Sequence, residues 1–396
     1  MFRRESGQAV AVLARILGDL DRAEEAVQDA FLVALERWPS RGVPDNPAAW
    51  IVTAARNRAI DRLRREKRLA ARRIALEAEL RALGGGDDED DEEQLVSPIP
   101  DERLRLIFTT CHPALEAEAR VALTLRALGG LTTGEVARAF LVSEAAMAQR
   151  IVRAKRKIAM AGIPYEVPRD ADLPARLRSV LATVYLVFNA GYGPPVRPGL
   201  CAEAIRLGRV LAALMPDEPE ALALLALMLV QDSRRAARAD AEGRLVLLSD
   251  QDRSRWDGAE IAEGMALVTR AWRAGTIGPY LLQASIACEH ARGSDWARIL
   301  WLYDRLYEFS PTEVVALNRA VVVAEVDGPE RALALLDELD LDAYHLLHAT
   351  RADLLRRLGR AAEAAAAYRE ALARTESPVE REFLQRRLDA LTFPET

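Results

Sequence analysis

Apolar residues recur at three- and four-residue intervals along nearly all of this 396-residue chain. In "DRAEEAVQDAFLVALERWP" they fall at Ala23, Ala26, Val27, Ala30, Phe31, Ala34 and Leu35, one face of a helix. "SGQAVAVLARILGD" repeats the pattern at Val10, Leu13, Ile16 and Leu17. Alternation with a period of two is scarce and only 6% of residues are aromatic, which leaves little material for strands. The expected fold class is all-α. The length allows two or three domains. The longest apolar run, "ALALLALMLV" (Ala221–Val230), is half the roughly twenty residues of a membrane span and reads as a buried helix. No membrane association is expected. "MFRRESGQAV" has no apolar leader pattern, and the odd, widely spaced cysteines Cys111, Cys201 and Cys288 fit a reducing, cytoplasmic setting.

Charge divides the chain. The stretch "GGGDDEDDEEQLVSPIP" (Gly84–Pro100) combines three glycines, seven consecutive acids and two prolines, so it reads as an extended linker with too little apolar surface to fold. Net charge is +3 over residues 1–80, −6 over 81–100, +4 over 101–165 and −7 over 166–396. Two basic modules therefore flank an acidic linker, ahead of an acidic C-terminal part. The total of −6 does not bar nucleic-acid binding, because the local field decides it.

The first module reads as about three helices. Asp21 is a candidate N-cap with Glu24 three residues on, and Pro39 is expected to end that helix. "RGVPDNPAAW" reads as a loop, with Pro47 opening the next helix. That helix carries "AARNRAIDRLRREK". Ala55, Ala59, Ile60 and Leu63 form its apolar sector, while Asn57, Arg58, Asp61, Arg64 and Arg65 gather opposite. A solvated face is the bland alternative, and the excess of Arg over Lys, 51 to three, weakens any single arginine as a signal.

The second module supplies corroboration. "LTTGEVARAFLVSEAAMAQRIVRAKRKI" has helix-turn-helix form: a Thr132/Glu135 capping box, a short helix ending near Phe140, and a second helix capped by Ser143. The second helix carries Gln149, Arg150, Arg153, Lys155, Arg156 and Lys157, the cationic surface that phosphate contact requires. Beyond residue 170, helices recur with Gly or Pro turns, and "GRAAEAAAAYREAL" (Gly359–Leu372) has the small-residue pattern of a tetratricopeptide-repeat helix.

In order and spacing, "GDLDRAEEAVQDAFLVALERWP", "NPAAWIVTAARNRAIDRLRRE" and the helix-turn-helix segment resemble regions two and four of an extracytoplasmic-function sigma factor of the sigma-70 superfamily. "TCHPAL" and "FNAGYGPP" resemble the subgroup with a long tetratricopeptide-like extension. The resemblance implies a region 2 bundle (1–80), an acidic linker (81–100), a region 4 helix-turn-helix (101–165) and a helical extension (166–396). It implies that Asp21, Glu24, Glu25, Gln28 and Asp29 lie on an exposed face docking core RNA polymerase. Trp50 and the loop Ser40–Pro47 would stand where the −10 element opens. Asn57, Arg58, Asp61, Arg64 and Arg65 would face −10 promoter DNA, and Gln149, Arg150, Arg153, Lys155, Arg156 and Lys157 the −35 element. Ala145, Ala146 and Ala148 depart from the Gly, Thr and Lys common in sigma factors, which leaves base reading to Gln149 and Arg150.

Rival chemistry finds little support. Walker A, G-x-S-x-G and G-x-G-x-x-G patterns are absent. His112 beside Cys111 reads as buried or capping, and His345 with His348 is weak metal spacing. In "LSDQDRSRWDG", Asp250, Asp252 and Asp257 read as helix caps or ion-pair partners of Arg253 or Arg255 rather than a cation site. The expected protein is not an enzyme and calls for no cofactor or metal. Its partners would be core RNA polymerase, promoter DNA and a regulatory protein or peptide on the extension. The alternatives are an operator-binding regulator with a repeat sensor, which would need neither docking helix nor melting loop, and a scaffold with incidental basic faces.

Overall fold

The computed structural model describes residues 2–392 apart from 45, 48, 61–98, 141, 169–170 and 193–196. The described residues are helical apart from turns and one isolated β-bridge, Ala239 to Leu245. No described helix is long and apolar enough to cross a membrane. The chain divides by its internal contacts into two units, Met1–Leu186 and Val187–Thr396. Nearly all of the acidic linker lies outside the described residues, but its last two positions open a helix.

In the first unit, α1 (Phe2–Leu17) packs against α2 (Leu20–Arg41) and α4 (Ile99–Thr110). Gly18, at φ +63°, breaks the chain between α1 and α2. Asp19, not Asp21, then caps α2, its carboxylate accepting from the Asp21 and Arg22 N–H groups. Pro39 lies inside α2 and does not end it. A proline near a helix end forfeits one backbone hydrogen bond without stopping the last turn, and Gly42 at φ +82° closes it by donating to the Trp38 carbonyl. The connecting loop therefore begins at Gly42, later than the expected Ser40. Ile16 and Leu35, expected in the apolar stripes, are exposed, while Ala11 and Ala14 are buried. Small residues let these helices approach closely and leave the stripe's edges to solvent.

A third helix, α3, is described between residues 47 and 60. Asn46 caps it, its side-chain oxygen accepting from the Ala49 N–H. After α4 come α5 (Ala117–Ala127), α6 (Thr133–Ala139) and α7 (Glu144–Met160). Helices α6 and α7 form the helix-turn-helix with the Thr132/Glu135 capping box and the Ser143 cap in place.

Helix α8 (Leu173–Tyr192) crosses the division between the units. Its first half is seated on the buried "FTTC" stretch (Phe108–Cys111), which runs into "TCHPAL": Arg176 donates to the Phe108 carbonyl at 2.8 Å and Ser179 to that of Cys111 at 2.5 Å. That stretch is thus the socket for the start of α8.

The second unit is built around α10 (Pro219–Asp232), in which every residue from Ala221 to Val230 is buried. Helices α9 (Pro198–Leu214), α11 (Gly258–Arg273) and α12 (Pro279–Arg292) cover it. Gly264 permits the α10–α11 approach; a Cβ there would stand 2.5 Å from Val230. Glu220 of α10 accepts from the Tyr280 and Leu281 N–H groups, satisfying the start of α12. Then follow α13 (Trp296–Phe309), α14 (Glu313–Val326), α15 (Pro329–Leu336), α16 (His345–Arg357), α17 (Ala361–Arg374) and α18 (Pro378–Thr392), each packed on the next. Ala364, Ala367 and Ala371 of α17 are buried, as the small-residue pattern requires.

Candidate nucleic-acid interface

The acids of α2 do not share one environment. Buried Ala23, Ala26, Val27, Ala30 and Ala34 turn inward, leaving Asp21, Glu25 and Gln28 exposed and Asp29 half-exposed. Glu24 departs from the expected exposed face, its side chain being 11% exposed. It is covered because Lys155 Nζ stands 3.3 Å and Arg126 Nη2 3.5 Å from its Oε2. Lys155 also donates to Asp21 Oδ1 at 2.6 Å. One residue assigned to promoter DNA is therefore paired with two assigned to polymerase.

Helix α3 buries Ile51, Ala55 and Ala59 and presents Arg56, Asn57 and Arg58 outward. Arg58 reaches Asp29 at 3.8 Å, with both side chains nearly half exposed. Asp61, Arg64 and Arg65 lie outside the described residues. Trp50 stands in the first turn of α3, partly buried, its ring 5.5 Å from that of Trp38 at 64°. An edge-on pair beside the 42–46 loop offers an aromatic face at the end of the cationic helix.

Helix α7 buries Met147, Ile151, Ala154 and Ile158. Gln149, Arg153, Arg156 and Lys157 are exposed, and the three cations have no partner among the described residues. Arg150 is instead held by Glu118 of α5 at 2.8 Å. Lys155 is the most covered of the set, its side chain 9% exposed. Tyr165, beside the start of α2, is pushed up to about 12 by burial and by Asp19 and Asp21, so it stays neutral. Exposed arginine and lysine on helices suit phosphate oxygens.

Sequence periodicity misses Arg126 and Glu118, because pairs between separate helices leave no mark in local spacing. His112 caps a turn, its Nδ1 accepting from the Ala114 N–H, and burial lowers its pKa. His348 Nε2 meets the Asp342 carbonyl at 2.8 Å, and His345 meets Glu380 at 3.2 Å. In "LSDQDRSRWDG", Asp252 caps the Arg253–Arg255 turn and Asp257 caps α11, while Arg253 lies over the Trp256 ring. Near that string Glu260 is raised to about 7 by burial and by Asp232 and Asp257.

Four stretches match family models: sigma-70 region 2 over residues 1–69, sigma-70 region 4 over 105–158, a family of unknown function (DUF6596) over 176–272, and a tetratricopeptide repeat-like domain over 295–393. The uncharacterized protein R00370 of Rhizobium meliloti (strain 1021) is 45% identical over 396 residues, covering 97% of this chain and 93% of that protein. The ECF RNA polymerase sigma factor SigK of Mycobacterium sp. (strain KMS) is 29% identical over 142 residues, 34% of this chain and 67% of that protein. No solved structure matches. Regions 2 and 4 in order, an amphipathic cationic helix in each, and the repeat-like domain behind them agree: the chain belongs to the same family as R00370, among the sigma-70 superfamily factors of the extracytoplasmic-function type that carry a tetratricopeptide-like helical extension.

Proposed function

We propose that this sigma factor docks core RNA polymerase through Asp21, Glu24, Glu25, Gln28 and Asp29 of α2 and places its two cationic helices on promoter DNA. Asn57 and Arg58 of α3, together with Asp61, Arg64 and Arg65 that follow them in sequence, meet the −10 element. Trp50, on the helix beside the 42–46 loop, takes an unstacked base as the strands part, since an aromatic face recovers stacking energy of about 1–3 kcal/mol per base. The α7 face, Gln149, Arg150, Arg153, Lys155, Arg156 and Lys157, meets the −35 element. The observation that carries this reading is the chain's order: an acidic helix, a cationic helix ending an aromatic loop, and a cationic helix-turn-helix. An operator-binding regulator has no use for the first two.

The extension regulates that activity through a protein or peptide partner, for which a repeat array offers a concave surface. Transcription in vitro with core polymerase tests both statements. The full chain is expected to direct initiation, with thymines near the start site becoming permanganate-reactive. A chain ending at Tyr192, which keeps α8 seated on the first unit, is expected to change promoter output several-fold. Absence of core-dependent initiation overturns the sigma reading; equal output from both chains overturns the regulatory one.

A further inference from the structure

We propose that Lys155, Asp21, Glu24 and Arg126 form an autoinhibitory charge latch that holds regions 2 and 4 in a closed form unable to engage polymerase and promoter together. The inference rests on the proposed function, because it assigns Asp21 and Glu24 to polymerase and Lys155 to DNA.

The geometry makes the two states exclusive. Lys155 Nζ stands 2.6 Å from Asp21 Oδ1 and 3.3 Å from Glu24 Oε2, and Arg126 adds a second cation 3.5 Å from the same Glu24 oxygen. While these pairs hold, Glu24 is turned from any outside surface, and Lys155 cannot reach a phosphate. The Lys155 and Glu24 side chains are 9% and 11% exposed, so salt screens their pairing weakly. Lys155, Arg126 and Glu24 share one set of contacts, so parting α7 from α2 breaks the Lys155 pairs together, which makes the contact switch rather than loosen by degrees.

The contact is also built to separate. A cleft of about 340 Å³ runs along it, lined by Gly18, Asp21, Val152, Arg156, Gly162 and Tyr165 among others, where a permanent interface would be filled. Glu24 Oε1 is buried without a hydrogen-bond partner, so the closed form leaves one acceptor unsatisfied. Opening then has matched replacements. A basic polymerase surface can take the acids, and a DNA phosphate can take Lys155. The packing of α1 on α4 supplies the apolar remainder of the closed form.

The test uses the full chain with cysteines introduced at Glu36 and Met160, both exposed, for spin labelling; the three native cysteines are buried. Without polymerase, one narrow inter-label distance distribution is expected, and Lys155→Met/Arg126→Gln should shift and broaden it. That variant should bind core polymerase about tenfold more tightly, the gain open to a protein whose docking form is about 10% populated. Lys155→Met is measured alone as well, because Arg126 also donates to the Leu131 carbonyl and its loss can disturb the helix-turn-helix. A wild-type chain that already shows the broad distribution overturns the latch. So does unchanged core affinity in both variants, whatever their distances. The distances are read without polymerase, so failure of the latch is separable from failure of the sigma reading, in which wild type and variants alike would not bind core.

Discussion

Helices α3 and α7 carry nearly the same message in sequence, an apolar stripe opposite a row of arginines, yet α2 treats them differently. Against α3 it offers Asp29, 3.8 Å from Arg58, with 45% and 48% of those side chains exposed. Against α7 it offers Asp21 and Glu24, within 2.6 and 3.3 Å of a lysine that is 9% exposed. The first is a loose surface pair, the kind measured at about 0–1 kcal/mol. The second is centred on two covered side chains, Lys155 and Glu24, with the exposed Asp21 beside them. A cationic helix face is therefore not one kind of object. Its meaning depends on whether an acid from elsewhere in the chain has reached it first.

The largest effect should come from the α2 acids outside the cluster. Glu25→Lys with Asp29→Lys is expected to weaken core polymerase binding by at least about a hundredfold, since like charges set against each other cost several kcal/mol. Closure onto α7 should persist, because the Lys155 contacts to Asp21 and Glu24 are left in place. A variant that binds core normally in a pull-down would show that α2 does not dock there. Next in size, Arg153→Ala with Arg156→Ala should flatten the dependence of duplex affinity on salt by about two units of log–log slope, roughly 0.9 per lost phosphate contact. A slope unchanged in fluorescence titrations would return α7 to the class of solvated helices. The smallest effect belongs to the loose pair. Arg58→Ala should shift unfolding free energy in urea by no more than about 0.5 kcal/mol, whereas a larger loss would mean that α3 is held by this pair as firmly as α7 is held by its own.

The helices, the capping box and the two cationic faces were legible in sequence because each is a local pattern with a fixed period. Ala55 and Ala59 are buried with Asn57 and Arg58 outward, and Met147, Ile151, Ala154 and Ile158 line the inner side of α7, as a 3.6-residue repeat dictates. Helix ends were less legible. Asp19 and Asp21 are equal candidates by residue type, and only the left-handed Gly18 settles which one caps. The fate of Glu24 was not legible at all. Nothing near it in sequence announces Arg126 or Lys155, which lie more than a hundred residues away. "TCHPAL" was recognisable only by likeness; that its Cys111 carbonyl seats Ser179 of α8, beside the Phe108 carbonyl that seats Arg176, is a tertiary fact.

Helix α10 carries a consequence for how this protein is made. It is apolar on every side, and its cover comes from α9, already synthesised, and from α11 and α12, still to come. As the nascent chain leaves the ribosome, Ala221–Val230 waits uncovered until α12 has emerged, a stretch of unsheltered hydrocarbon that invites chaperones or other nascent chains. Slow translation just after Asp232 would prolong that exposure, so codon choice between α10 and α12 bears on the yield of soluble protein.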